Sequence, residues 1–283
     1  MHDRLVNADA APQNAARALL AFWRAAGVDM DEAEAVYAAA PARAPGRDHA
    51  PAQQAHRPAP KQASRAKLKA PSTTAVDNAR ALAAAANSIA ELRAAVTGFE
   101  GCALKATARS TVFSDGIDDA QVLVLGEAPG KDEDEQGKPF VGRSGQLLDR
   151  MLDQIGLSRK SNILISNTIY WRPPGNRDPT QGEIVACLPF VERLIELAQP
   201  KLLILTGKAA AHTVLRRGDG VMKLRGRRLL YNREGLVMPV NAMVMLHPAY
   251  LLRQPQQKRL AWNDLLLAET WLEELGVARA AHP

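Results

Sequence analysis

Short apolar runs alternate with longer amphipathic stretches along most of the chain, and this rhythm sets the fold class. QVLVLGEAPG carries a continuous apolar run, Gln121 to Leu125, that breaks into a loop bearing glycine and proline. NILISN (162–167), KLLILTG (201–207) and AMVMLH (242–247) repeat the form. Runs this short, with no polar alternation, predict strands buried on both faces. Helically spaced segments lie between and around them. GRSGQLLDRMLDQIGL predicts a helix from about Ser144 to Ile155, and PTQGEIVACLPFVERLIELAQP a long one opened by Pro179 and Thr180. KAAAHTVL predicts a short helix and KRLAWNDLLLAETWLEEL a closing one. Residues 74–96 predict another, with Leu82, Ile89, Leu92 and Val96 as its apolar stripe. Strands separated by helices predict an α/β fold whose parallel sheet is covered on both faces.

Upstream the pattern changes. Residues 13–41 have helical spacing broken at Gly27, so 1–41 is expected to be a helical extension. Residues 42–73 are rich in Pro, Ala, Gln and basic residues, and are expected to form a disordered basic linker. The folded domain is expected over 74–283. With 283 residues, 47% of them hydrophobic, the chain has material for one well-packed domain with appendages. A formal net charge of +6 suits a polyanionic partner, though an ordinary basic surface explains it equally. Two cysteines, Cys102 and Cys187, exclude a disulfide framework and fit a reducing cytoplasm. No apolar run reaches the roughly 18 residues of a membrane span, and MHDRLVNADA has no secretory apolar core. A cytoplasmic protein without a membrane partner is expected.

Parallel sheets place ligands at the carboxyl ends of their strands, so the loops there carry the candidate chemistry. GEAPGKDEDEQGKPFVGRSGQLL is neither a Walker loop nor a dinucleotide loop. It puts Glu127 at the end of a buried strand, where a carboxylate must be wet, paired or used. Glu133, Asp134 and Glu135 read as an exposed acidic turn. Phe140 is either a local plug or a stacking platform for a planar ligand. Ser144 is placed to cap the next helix, leaving its amides facing an anion. Asn167 pairs a donor with an acceptor, enough to read a pyrimidine edge, or else it caps its turn. In YWRPPGNRDP, Arg172 and Arg177 either approach a phosphate or pair with surface acids. His247 ends the last apolar run and is either structural or catalytic. Tyr250 and Leu251 are candidates for a wedge or a packing plug, with Arg253, Lys258 and Arg259 as phosphate-facing charge. The basic stretch from Arg216 to Arg233, which includes VMKLRGRRLLY, is a candidate hairpin on the same face.

Together, GEAPGKDEDEQGKPFVGRSGQLLDRML, ISNTIYWRPPGNRDP and LHPAYLLR resemble the family-4 uracil-DNA glycosylases, and CALKATARSTVF resembles their amino-terminal segment. The resemblance covers about residues 98–276. It implies a Rossmann-like three-layer αβα sandwich with a central four-stranded parallel sheet. It also implies hydrolysis of the bond between uracil and deoxyribose in DNA, leaving an abasic site in base excision repair. By motif, Glu127 and Ala128 lie under the scissile sugar and base, Phe140 stacks on uracil, Asn167 reads its edge, and His247 stands against O2. The HPAYLLR segment enters the minor groove as the nucleotide flips out. A monomeric, monofunctional enzyme without lyase activity is expected.

Many family members hold a [4Fe–4S] cluster on four cysteines. Here Phe99 and Trp171 stand at two of those positions, beside Cys102 and Cys187. Two thiolates do not satisfy such a cluster, so no cofactor and no metal is expected. Other readings stay open: a non-catalytic binder of damaged or single-stranded DNA, or a glycosylase of altered base specificity. Covalent capture of uracil goes with a basic KRRIH insertion that this chain lacks.

Overall fold

Neighbouring residues of the central strands point to opposite faces, and both faces are apolar. Val122 and Val124 enter one core with Ile163, Ile165, Leu202, Ile204, Met243 and Met245. Leu123 and Leu125 enter the other with Leu164, Leu203, Leu205, Ala242 and Val244. Burial on both sides explains the unbroken apolar runs. These features come from a computed structural model that describes residues 73–279. The helical extension expected at 1–41, and the basic linker expected over 42–73 save Thr73, lie outside the described residues.

The chain begins with helices α1 (Thr73–Ala85) and α2 (Ile89–Gly98). Strands β1 (Ser114–Gly116) and β2 (Val122–Gly126) follow, then helices α3 (Lys131–Gln136) and α4 (Arg143–Asp153). Strand β3 (Ile163–Asn167), helix α5 (Gln181–Ala198), strand β4 (Leu202–Thr206) and helix α6 (Gly207–Leu215) complete the middle of the fold. The last part holds α7 (Val221–Leu224), β5 (Leu229–Tyr231), β6 (Val240–Met245), α8 (Pro248–Arg253) and α9 (Lys258–Glu274). Helices α1, α2, α5 and α6 cover one face of the sheet, and α4, α8 and α9 the other.

The sheet departs from the four-stranded parallel sheet expected. Among the described residues it has six strands in the order β1-β3-β2-β4-β6-β5. The expected strands form its parallel centre, and β1 and β5 add antiparallel edges. Each edge strand is three residues long, too short to register as a period in sequence. The candidate hairpin in VMKLRGRRLLY is instead the short helix α7 followed by β5, which pairs with β6. The single helix expected over 74–96 is two, because Ser88 accepts from the Glu91 amide (3.1 Å) while Glu91 accepts from the Asn87 amide (2.7 Å). This reciprocal cap starts a new helix.

Of the acidic turn expected to be solvated, Glu135 is exposed and the other two acids are not. Glu133 and Asp134 are buried, held by backbone donors. Glu133 accepts from the amides of Gly130, Val141 and Gly142 at 2.9–3.0 Å. Asp134 accepts from Arg109 and Ser110, at 2.8 and 3.1 Å. Asp134→Ala leaves two amides unsatisfied and is expected to cost about 2–3 kcal/mol. Urea denaturation checks this, and an unchanged midpoint would refute the anchoring role.

Candidate active site

In the parallel centre the chain steps from β2 outward to β3, then back across β2 to β4 and on to β6. The loops leaving β2 and β4 therefore diverge, which opens a crevice at the carboxyl edge. Four of the residues singled out in sequence lie at or just beyond strand ends facing it: Glu127 and Ala128 after β2, Asn167 at the end of β3, and His247 after β6. The crevice holds about 430 Å³ and is also lined by Phe140, Ser144, Arg177 and Arg253. A groove of about 730 Å³ adjoins it, sharing Glu127, Asp178 and His247 and running past Lys208 and His212.

Phe140 sits inside the crevice wall with its ring 5.8 Å from that of His247, at an interplanar angle of 29°. Its φ is +53°, an uncommon conformation for a bulky residue, worth roughly 1–3 kcal/mol of strain. The ring also fills the space a side chain at residue 126 would need. A Cβ on Gly126 would lie 2.5 Å from Phe140 Cζ and 2.4 Å from Asn167 Oδ1. Asn167 is buried, and its carboxamide makes no hydrogen bond among the described residues, so both its donor and its acceptor are available to a ligand.

His247 caps α8, its Nδ1 accepting from the Ala249 amide at 3.1 Å. With Nδ1 as acceptor, the neutral ring carries its proton on Nε2. Burial, reinforced by the positive Arg253, pushes the imidazole pKa down to about 4. The ring is a neutral donor at physiological pH. Burial raises the carboxyl pKa of Glu127, with Asp178 adding repulsion. The Glu127 carbonyl accepts from Ile169 N (3.0 Å) and Thr168 Oγ1 (2.9 Å), tying the exit of β2 to that of β3.

The remaining candidates divide. Arg253 is exposed on α8 and makes no ion pair among the described residues. Ser144 faces the crevice, but the cap of α4 is Gly142, so Ser144 lies inside the first turn and not at the cap. Arg177 lines the crevice with its guanidinium forked onto buried Glu183 (2.7 and 2.9 Å). Arg172 bonds Asn176 Oδ1 at 2.7 Å, outside the crevice lining. Leu251 is a fully buried plug, and Tyr250 packs partly buried against the same core. Lys258 departs from the expected phosphate-facing charge: it is only 4% exposed and engaged within the fold, because α9 docks by its first turn. Much of the basic stretch is likewise occupied, with Arg216 and Arg233 on Glu192, Arg225 on Asp264 and Arg228 on Glu274, while Lys223 and Arg227 are exposed. Sequence reasoning missed Asp178, Gly126 and Gly207, a Cβ on the last meeting that of His247 at 2.9 Å. Close approach leaves no local signal, but the NRDP turn put Asp178 in view.

Residues 113–266 match the family model of the uracil DNA glycosylase superfamily. The chain belongs to that superfamily. It is 36% identical over 171 residues to the type-4 uracil-DNA glycosylase of Saccharolobus solfataricus, covering 58% of this chain and 76% of that one. Identity is 35% over 167 residues with the type-4 enzyme of Archaeoglobus fulgidus (58% and 82%). It is 30% over 185 residues with that of Sulfurisphaera tokodaii (63% and 82%).

The residues at the family's cluster positions do not fit a four-thiolate cluster. Phe99 and Trp171 are buried with ring centroids 6.5 Å apart, and Phe190 meets Phe99 edge-on at 5.1 Å. Trp171 Nε1 donates to Thr111 Oγ1 at 3.0 Å. Cys102 and Cys187 are buried in the same core as these rings. The neighbouring Cys102 thiol, with burial, raises the Cys187 thiol pKa well above its ordinary value.

The lowered pKa of His247 has a stability consequence. The folded protein binds fewer protons than the unfolded chain between the ordinary value of 6.5 and about 4, so stability falls as pH drops through that window. Between pH 7 and 4 the parent is expected to lose up to roughly 3 kcal/mol more than His247→Gln. Parallel curves in urea denaturation across this range would refute it.

Proposed function

We propose that this chain excises uracil from DNA, hydrolysing the N-glycosidic bond of deoxyuridine and leaving an abasic site for base excision repair. One observation carries the reading: Glu127, Asn167 and His247, from the carboxyl ends of β2, β3 and β6, line one crevice with the Phe140 ring. The similarity to type-4 uracil-DNA glycosylases supports it.

The target atom is buried in stacked DNA, so the nucleotide flips into the crevice. Phe140 stacks on the base beside Ala128, and the Asn167 carboxamide pairs with its edge. As the bond from C1′ breaks, its electron pair passes to uracil N1 and spreads to O2. The neutral Nε2–H of His247 donates to O2, a bond that strengthens as the anion forms. The sugar becomes oxocarbenium-like. Ionised Glu127 stabilises it and accepts the proton of the water that adds to C1′. Arg253 and Ser144 are placed for phosphate, Tyr250 for the minor groove beside the flipped nucleotide, and Arg172 and Arg177 for the adjoining strand. The enzyme acts as a monomer, without lyase activity and without an iron–sulfur cluster. The aromatic packing of Phe99 and Trp171 supports that last point.

Uracil-containing single strands and U:G and U:A duplexes test the reaction. Free uracil is expected without added metal, with the strand intact until alkali. A folded protein that releases no uracil from any of them overturns the proposal, and nicks before alkali overturn the monofunctional part. Asn167→Ala is expected to cost about 1–3 kcal/mol, about 5- to 150-fold in single-turnover uracil cleavage. A parental rate would remove Asn167 from base reading. Anaerobically purified protein is expected to hold no stoichiometric iron, and about four irons per chain would refute the cluster-free reading.

A further inference from the structure

Phe140 owes its unusual backbone to a residue outside the crevice. Arg159, in the turn between α4 and β3, reaches back under the loop that carries Phe140. Its Nη1 donates to the Pro139 carbonyl (2.9 Å) and its Nη2 to the Phe140 carbonyl (2.8 Å). Nη1 also donates to Asp115 Oδ2 (3.0 Å), and Nε and Nη2 to Asp149 Oδ1 (3.0 and 2.8 Å). A guanidinium has five N–H donors in a fixed plane, and these five bonds use all of them. On the other side, Gly145 of α4 presses against the same carbonyl. A Cβ there would lie 1.9 Å from Phe140 O and 2.0 Å from its carbonyl carbon. The Phe140 peptide is thus clamped between a side-chain-free helix turn and a fully engaged guanidinium, with φ held at +53°.

We propose that Arg159 is a positioning residue for base recognition, fixing the Phe140 ring in the orientation that stacks on the flipped uracil. The inference rests on the stacking role proposed for Phe140. Two carboxylates, Asp115 from β1 and Asp149 from α4, hold Arg159 in turn, with Lys138 also on Asp115 at 3.5 Å. Without the clamp, Phe140 relaxes toward negative φ and its ring leaves the wall that it shares with Gly126 and His247. Lysine is no substitute. Its ammonium is a point charge and cannot span both carbonyls and both carboxylates in one plane.

The test compares Arg159→Met, Arg159→Lys, Phe140→Ala and the double variant Arg159→Met/Phe140→Ala. Each is bound to a strand with 2′-fluoro-2′-deoxyuridine, whose glycosidic bond resists cleavage, and to the same strand with thymidine. Phe140→Ala is expected to weaken binding of the 2′-fluoro-2′-deoxyuridine strand by about 5- to 150-fold. Arg159→Met is expected to weaken that binding on the order of tenfold, with thymidine-strand affinity unchanged, and to add nothing when Phe140 is already Ala. Arg159→Lys keeps the positive charge against Asp115 and Asp149, and is expected to show the loss in a folded protein even if the Met variant does not fold. Parental binding of the 2′-fluoro-2′-deoxyuridine strand by a folded Arg159 variant, or the same loss in the Phe140→Ala background, overturns the inference. Parental binding of that strand by Phe140→Ala overturns instead the stacking role on which it rests.

Discussion

The crevice depends on the absence of one side chain at the end of β2. Gly126 pairs in register with Asn167, and its carbonyl accepts from the Thr168 amide at 2.9 Å. The exits of two neighbouring strands are thereby tied together, which sets Glu127 beside Asn167. The volume that a Cβ would occupy holds the edge of the Phe140 ring and the Asn167 carboxamide oxygen. Gly207 serves His247 similarly at the exit of β4. Strand ends are stiff, and a close-packed interior leaves little room for adjustment. The functional groups therefore stand on the sheet itself, except Phe140, whose loop needs its own clamp.

Burial shapes the charge of this site more than its cations do. It moves Glu127 and His247 in opposite pKa directions, each toward its uncharged form. The nearby guanidinium of Arg177 is neutralised by Glu183. A neutral imidazole with its proton on Nε2 donates to a forming anion without first having to keep a charge out of water. In a partly desolvated site such a fixed dipole acts on the developing charge with little solvent screening. In the proposed mechanism the same desolvation sets a lower pH limit, because Glu127 acts there in its ionised form. The proposed bond-breaking step thus rests on dipoles and one carboxylate.

Much of this was legible in the sequence because buried parallel strands leave an unmistakable trace. The apolar runs at 121–125, 162–167, 201–207 and 242–247 located the centre of the sheet within a residue or two at most ends, and the polar residue closing each run located the crevice. What stayed hidden depends on partners distant in sequence. Ser114–Gly116 and Leu229–Tyr231 are strands only because β3 and β6 offer them an edge. Glu133 and Asp134 look like solvated acids until the amides of 109, 110, 130, 141 and 142 are brought around them. Arg216, Arg225, Arg228 and Arg233 look free until α5 and α9 supply Glu192, Glu196, Asp264 and Glu274. Lys258 is buried for a related reason, since its helix docks at the very turn that the sequence left exposed.

The aromatic packing around Trp171 bears on the same crevice from below. Trp171 lies four residues beyond Asn167, and its ring meets Phe99 from the end of α2 and Tyr170, while Thr111 from the segment before β1 accepts its indole proton. Cys187 and Phe190 bring α5 into the same core. At the far end of this loop, Arg177 and Thr180 are both bonded to Glu183 in the first turn of α5. The wall from Trp171 to Thr180 is therefore fixed at both ends, with the tip at Gly175 and Asn176 exposed. Four thiolates around a cluster would join these same segments through metal–ligand bonds. In this structure aromatic and aliphatic side chains pack between these segments. With both ends of this wall fixed, the proposed extrusion of the nucleotide brings the base to a preformed crevice and spares the crevice from reaching into the stack.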